Sequence, residues 1–450
     1  MMLIREKQFY KTVLSISIPM MLQNLIGVAV GLADTLMLGR LGEVELTSAA
    51  LSQQFFFIFM VMNFGLGGGT AILISQYWGK QDVPKIRTIM GIMYKVSISL
   101  SIMFMVVSLV IPRQIISVFT TDIRVIDIGE QYLRVLSMSY IFSSFSNCSM
   151  AGLRAIKTVR VSVVIYSISL ILNIFLNWIL IFGNFGAPEL GVVGAAIATV
   201  IARITESVLI IIFLKFFDKK MRLGLDILKR ADKYLRKDFI KIVTPVVINE
   251  MIWSVGSAMV SIIVGRMGTE VVAANTIANV VNQCMTVIVY AVSGASSVII
   301  GNSIGAKEYE RTKDAAFTLL ICVTALGMLA GVCVFIARPH IINFYVVTDL
   351  TKKIAMDIML INSFIVVFQA LANTLNVGIL RAGGDTNFVL INDVIFMWLL
   401  AIPLGFIGAF VWDLPIILVF CIIRIDEILK SVCATIRLLS FKWINNVTRE

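Results

Sequence analysis

Asp34 lies in the stretch VAVGLADTLMLGR (28–40), an apolar run whose nearest basic residue is Arg40. Removing a carboxylate from water favours its protonated form, so such a group can take up a proton or a small cation. Asn173 and Asn177, in ILNIFLNWIL, are four apart and share one helix face. One carboxylate, two amide oxygens and the hydroxyl of Thr199 would suit a proton or a hard monovalent cation such as Na+, since hard cations prefer oxygen ligands. The competing reading of the two asparagines is a hydrogen bond that glues helices together.

Further along the chain, Glu250 follows Pro245 as Asn24 follows Pro19, and forms a second candidate proton or cation site. Asp385, in RAGGDTNF, stands at the start of an apolar run, where it could instead cap a helix. Asp393 is two turns deeper and better placed to face a cavity. Gln53, Asn279 and Gln283 are uncharged polar residues in apolar runs and are candidates for a substrate cavity. Arg203/Glu206 and Arg424/Glu427 each have a spacing of three, which predicts an ion pair within one helix.

These residues need elements that hold them in an apolar medium. The 450 residues are 59% hydrophobic and 14% charged. Soluble domains run at about 45–50% apolar and about 25% charged, so the expected class is an all-α membrane protein. Twelve candidate spans follow, at about 12–38, 48–78, 88–111, 127–153, 161–183, 190–214, 242–267, 275–304, 314–337, 354–380, 386–411 and 414–436. The first is too long for a signal-peptide core. Steady period-two alternation, which a transmembrane barrel needs, is missing.

Basic residues orient the spans. With the N-terminus cytoplasmic, the inner segments hold 27 Lys and Arg and the outer loops 7. Both termini are therefore expected inside, and topology accounts for the net charge of +11 without nucleic acid as a partner. The densest loop, 215–241, interleaves ten basic residues with apolar ones such as Leu225 and Leu228. It reads either as a helix lying on the inner leaflet or as a solvated linker.

The chain also repeats. SIPMMLQN (17–24) aligns with VTPVVINE (243–250), and MLGRLG (37–42) with IVGRMG (263–268), both at an offset of 226. Gly68 pairs with Gly294 and Gly79 with Gly305 in the same register; Arg154 pairs with Arg381 one residue later. The expected domains are a first lobe at 1–214, the basic linker at 215–241 and a second lobe at 242–450, each lobe a six-helix bundle. An even number of spans per half makes this a parallel repeat, a plan used by secondary transporters. Pairs such as Gly27/Gly31 and Gly301/Gly305 have the spacing for close helix packing.

Enzymatic signatures do not emerge. The run GLGGG (65–69) is followed by no Lys-Ser/Thr, so it is not a phosphate loop. The single histidine, His340, falls in an expected outer loop, which disfavours a histidine relay or a transition-metal centre. Six cysteines lie in apolar segments without paired spacing and read as buried small hydrophobes.

Taken together, SIPMMLQN with GLADTLMLGRLG, TPVVINEMIW with VGRMG, GLRAIKT, LNIFLNWIL and LRAGGDT span nearly the whole chain. In order, spacing and duplication they resemble the multidrug and toxic compound extrusion (MATE) family, especially its DinF-like and NorM-like bacterial members. The resemblance implies twelve helices in two pseudo-symmetric lobes set in a V. It implies a monomer in the plasma membrane, in contact with lipid, that exchanges Na+ or H+ for organic, often cationic and amphipathic compounds. No cofactor beyond the coupling ion is implied. Asp34 matches the family's first-span acid, Pro19 its first-helix hinge proline and Asn173 its ion-site asparagine, with Asn177 where some members carry a second aspartate. Glu250 and Asp385 match acidic positions in the second lobe of NorM-like members. A flippase for lipid-linked intermediates, with a related two-bundle fold, is the alternative. It would be expected to carry several cationic residues in its cavity.

Overall fold

In lipid, a backbone can satisfy its own polar groups only within helices or a closed barrel, and these apolar runs take the helical solution. The computed structural model describes residues 2–221, 223–224, 227, 232–343, 345 and 347–449. The first half comprises α1 (Lys7–Leu38), α2 (Glu43–Gly79), α3 (Val83–Val110), α4 (Pro112–Ser117), α5 (Ile123–Ser137), α6 (Tyr140–Ala155), α7 (Arg160–Phe182) and α8 (Gly191–Ile212). The second comprises α9 (Lys233–Arg266), α10 (Thr269–Gly305), α11 (Tyr309–Asn343), α12 (Asp349–Asn373), α13 (Thr386–Asp393), α14 (Ile402–Phe410), α15 (Ile416–Ile423) and α16 (Ile425–Leu439). Among the described residues there is no strand.

Among the described residues, ten continuous helices are long and apolar enough to cross a bilayer, against twelve expected. The other two expected spans are broken. Between α5 and α6 the chain leaves the helix at Met138 and Ser139, where the Ser139 hydroxyl donates back to the Leu136 carbonyl at 2.6 Å. Arg424 separates α15 from α16. For that reason Arg424 and Glu427 do not share a helix, and among the described residues the expected ion pair between them does not form. Arg203 and Glu206, both on α8, do pair, at 2.9 Å. Wide π turns at Thr374–Leu380 and Val394–Ala401 flank α13. Such turns are frequent at functional sites.

Several local expectations change. His340 is in the last turn of α11 rather than in a loop. Only Cys148 is fully buried, while Cys284, Cys333 and Cys421 are exposed. In the basic stretch, Phe213–Phe217 prolongs α8 and Lys233 already begins α9; Leu225 and Leu228 lie outside the described residues.

By contacts the chain forms two compact units. Unit 1 holds Met1–Met21, Ser75–Gln81 and Ile248–Glu450; unit 2 holds Leu22–Ile74 and Asp82–Val247. The two crossings within α1 and α9 fall after Met21 and after Val247, equivalent repeat positions just beyond Pro19 and Pro245. A proline inside a helix removes one backbone hydrogen bond and bends it.

Unit 2 is centred on Phe59, Phe104, Tyr132, Tyr140 and Ile181, with the rings of Phe59 and Tyr140 stacked 4.8 Å apart. Unit 1 has a core where Ala274, Ala278, Ala355, Ile358, Met359 and Phe420 join α10, α12 and α15. Also within unit 1, the end of α2 crosses the end of α10. A Cβ at Gly305 would collide with the Gln76 carbonyl, and one at Gly79 with the Asn302 carbonyl. Gly79 and Gly305, like Gln76 and Asn302, are repeat equivalents, so the crossing is nearly two-fold. By contrast, among the described residues a methyl group added at Gly27 or Gly31 would meet no neighbour within 4 Å, so their spacing brings no second helix close there.

Gly305→Leu should therefore lower the thermal unfolding midpoint of the purified protein, since overpacking costs about 1–3 kcal/mol. Gly31→Ala should hold or raise it, because Ala is favoured over Gly in a helix by about 0.5–1 kcal/mol. Equal losses for the two variants would overturn the packing assignment.

Candidate functional site

Two helices of unit 2 bring the first cluster together. Asp34 comes from the last turns of α1, and Asn173 and Asn177 from one face of α7; all three are buried. The Asn177 amide donates to Asp34 Oδ1 at 2.5 Å and to Asn173 Oδ1 at 3.2 Å. One NH₂ group thus ties the carboxylate to the second asparagine. The Asn177 carbonyl oxygen is left buried with no hydrogen-bond partner among the described residues. An orphaned buried acceptor is uncommon and costs on the order of 1–3 kcal/mol, so it needs an explanation.

No ion pair to Asp34 forms among the described residues. Arg203 on α8 acts on Asp34 electrostatically but is itself paired with Glu206 at 2.9 Å. Thr199, also on α8, is half-buried and makes no side-chain hydrogen bond to this cluster. The structure therefore assembles Asp34, Asn173 and Asn177 as expected but does not bond Thr199 to them.

Sequence reasoning missed Tyr132. Its phenol feels the charge of Asp34 and accepts a hydrogen bond from Gln53 Nε2 at 3.3 Å. The link places Gln53, an exposed residue of α2, in the neighbourhood of the acid. Asn279, the repeat equivalent of Gln53, and Gln283 are likewise exposed, one turn apart on α10. Nothing in the tyrosine's sequence surroundings distinguishes it from a core aromatic.

The second cluster lies in unit 1 and differs in kind. Glu250 on α9 receives the Arg381 guanidinium at 2.6 Å. Arg381 also donates to the Asn249 carbonyl oxygen, and the Asn249 amide donates to Asp393 Oδ2 at 2.7 Å. Asp393 continues to the Lys430 ammonium at 3.2 Å, and Lys430 to Asp426 at 2.9 Å. From Glu250 to Asp426 these side chains form one unbroken polar line through α9, Arg381 after the Thr374–Leu380 turn, α13 and α16. Asp385 stands apart from that line and binds Arg437 Nε at 2.6 Å, without accepting a helix-capping bond.

Glu250, Asp385 and Asp393 thus each have a basic partner, whereas Asp34 has an amide. Asn249, Asp426 and Lys430 are not among the residues that sequence reasoning selects. By residue type and position Lys430 counts among the cytoplasmic charges, yet it is 4% exposed. Its position four residues after Asp426 on α16 is the available signal.

A separate cavity is an apolar groove between α9 and α14, lined by Met259, Ile263, Ile402 and Phe406 with Arg266 at one end. It contains none of the candidate residues.

Comparisons with known proteins agree with this architecture. The MatE family profile matches residues 19–179 and again 245–407. The two matches begin at Pro19 and Pro245, at the same offset as the internal repeat. A Bacillus subtilis protein described as probable multidrug resistance protein YoeA is 24% identical over 401 residues, covering 87% of this chain and 85% of its own. A Thermotoga maritima protein described as probable multidrug resistance protein NorM is 24% identical over 449 residues, covering 98% and 95%.

Among solved structures, an outward-facing multidrug resistance MATE family transporter of the MOP superfamily superposes with a TM-score of 0.86 at 18% identity, covering 96% of each chain. The Vibrio cholerae MATE transporter VcmN in its bent form gives 0.87 at 17% identity, covering 96% of this chain and 97% of that one. These likenesses establish the fold as that of a MATE transporter, in agreement with the all-α, multi-pass architecture. With two profile matches that together cover well over half of its length, the chain belongs to the MatE family.

Proposed function

We propose that the protein is a secondary active antiporter and not an enzyme. It exports organic, cationic and amphipathic compounds in exchange for Na+ or H+, by alternating access of the cargo site to the two sides of the plasma membrane. The observation that carries this reading is the Asp34 cluster. A buried carboxylate is tied to two asparagines, has no ion-pair partner among the described residues, and lies beside an orphaned amide oxygen of Asn177. A monovalent cation there would take the orphaned oxygen of Asn177 together with oxygens of Asp34 and Asn173, and a proton would neutralise Asp34 directly. Either removes the cost of an unpaired charge away from water.

Several further points support the reading. The relatives are described as multidrug resistance proteins. The repeat supplies two bundles, and MATE structures are described in both outward-facing and bent states. Exposed Gln53 on α2, and exposed Asn279 (its repeat equivalent) and Gln283 on α10, are suited to contact cargo. An acid held by amides rather than by a base favours cationic cargo over the pyrophosphate of a flippase substrate. The excess of Lys and Arg in alternate loops supports cytoplasmic termini. The protein acts as a monomer, with lipid as its other partner.

Imposing a Na+ gradient and a H+ gradient separately across proteoliposomes, with a fluorescent cationic dye as cargo, identifies the coupling ion. Asp34→Asn should abolish the gradient dependence while the protein still inserts; unchanged coupling in that variant would refute the assignment. Asn177→Ala should weaken the apparent affinity for the coupling ion by about ten- to a hundred-fold, the range found when a group that orients a ligand is removed. Single cysteines placed near either terminus should react with impermeant thiol reagents only from the cytoplasmic side, and labelling from outside would reverse the topology.

A further inference from the structure

Within unit 1, the ammonium of Lys430 sits between two carboxylates, Asp393 at 3.2 Å and Asp426 at 2.9 Å. Lys430 and Asp426 are both buried, and Asp393 is nearly so. Two convergent carboxylates in a low-dielectric site are what a free monovalent cation would need. Here the position is filled by a cation on the chain itself. An ammonium is a compact point charge, and its covalent tether gives it an effective concentration that a dilute ion cannot match.

The neighbours are consistent with a filled site. Arg381 neutralises Glu250 at the other end of the line, and Asn249 bridges the two halves. Glu427 and Arg424 also act on this region, one charge of each sign. The remaining negative charge falls on Asp426, in the first turn of α16, where unpaired backbone N–H groups favour an anion. The Asn392 amide donates to the Lys430 backbone carbonyl at 3.4 Å and helps to hold the residue in place.

The repeat shows that the fold does not require this arrangement. The register that aligns Arg203 with Arg424 puts Leu209 opposite Lys430 and Thr205 opposite Asp426. Asn24 stands opposite Glu250. Of the charges in the line, Arg381 has a counterpart in Arg154, whereas Glu250, Lys430 and Asp426 have no charged counterpart in the first half.

We propose that Lys430 is a tethered counter-ion that fills the cation site formed by Asp393 and Asp426, so that exchangeable ion binding is confined to the Asp34 cluster. The confinement to Asp34 rests on the antiporter reading above; the occupancy by Lys430 does not. The test is thermal unfolding of the purified full chain, titrated with sodium chloride against choline chloride at constant ionic strength. Lys430→Met should gain a sodium-dependent rise in midpoint that persists in the Lys430→Met/Asp34→Asn double variant. Lys430→Arg should not gain it.

The double variant Lys430→Met/Asp393→Asn should fold and also lack the response. If Lys430→Met folds only in sodium, the vacated site is binding the ion and the proposal stands. If Lys430→Met shows no new response, or is rescued by Asp393→Asn and by no cation, the proposal fails. A wild-type sodium response that survives Asp34→Asn and is lost in Asp393→Asn would also overturn it. Failure of the antiporter reading would appear elsewhere, as unchanged dye coupling in Asp34→Asn, because the midpoint shift of Lys430→Met needs no transport.

Discussion

A charge placed in hydrocarbon cannot borrow stabilisation from water, and nearly every polar feature of this protein answers to that constraint. The two units answer it differently. In unit 1 four acids are matched by bases: Glu250 by Arg381, Asp393 by Lys430 and Asp385 by Arg437, each from a separate segment, while Asp426 shares Lys430 from its own helix. Removing one member of such a pair leaves an uncompensated charge, which costs about 3–5 kcal/mol. In unit 2 the central acid is matched only by amides. Amides stabilise a carboxylate less than a cation does, and they leave room for something that arrives from solution.

The duplication makes the contrast interpretable. Both halves carry the proline inside the first helix, the LGR or VGR segment at its end and the crossing glycines Gly79 and Gly305. Shared features are those that the bundle needs in order to exist. Where the halves differ, a residue is free to serve chemistry: Asp34 stands opposite Val260 in the repeat register, and Glu250 opposite Asn24. The chain passes between units just after Pro19 and Pro245, at equivalent positions of the repeat.

The breaks and wide turns in the helices lie close to the polar residues. Arg424 interrupts the last expected span, and the π turns flank α13, which carries Asp393. A π turn shifts the register of a helix face by about one residue relative to the 3.6 period, so side chains beyond it aim differently from those before it. Asn249, Asp393 and Lys430 come from α9, α13 and α16 and meet although their spacing in the chain carries no pattern.

Composition, hydropathy and the repeat were enough to establish an all-α membrane protein in two related halves, and enough to single out Asp34, Asn173 and Asn177. Those signals are local: an apolar run long enough for a bilayer, a spacing of four on one helix, an acid where lipid penalises acids. What the sequence could not decide was partnership. Glu250, Asp385 and Asp393 look as unpartnered as Asp34 does until Arg381, Arg437 and Lys430 are brought from elsewhere in the chain. The continuity of spans was equally hidden, because apolarity does not distinguish one helix from two that meet at Ser139 or Arg424. Burial in lipid can be read from residue type along a line; the neutralisation of a charge depends on which helix lies beside it, and only tertiary packing sets that.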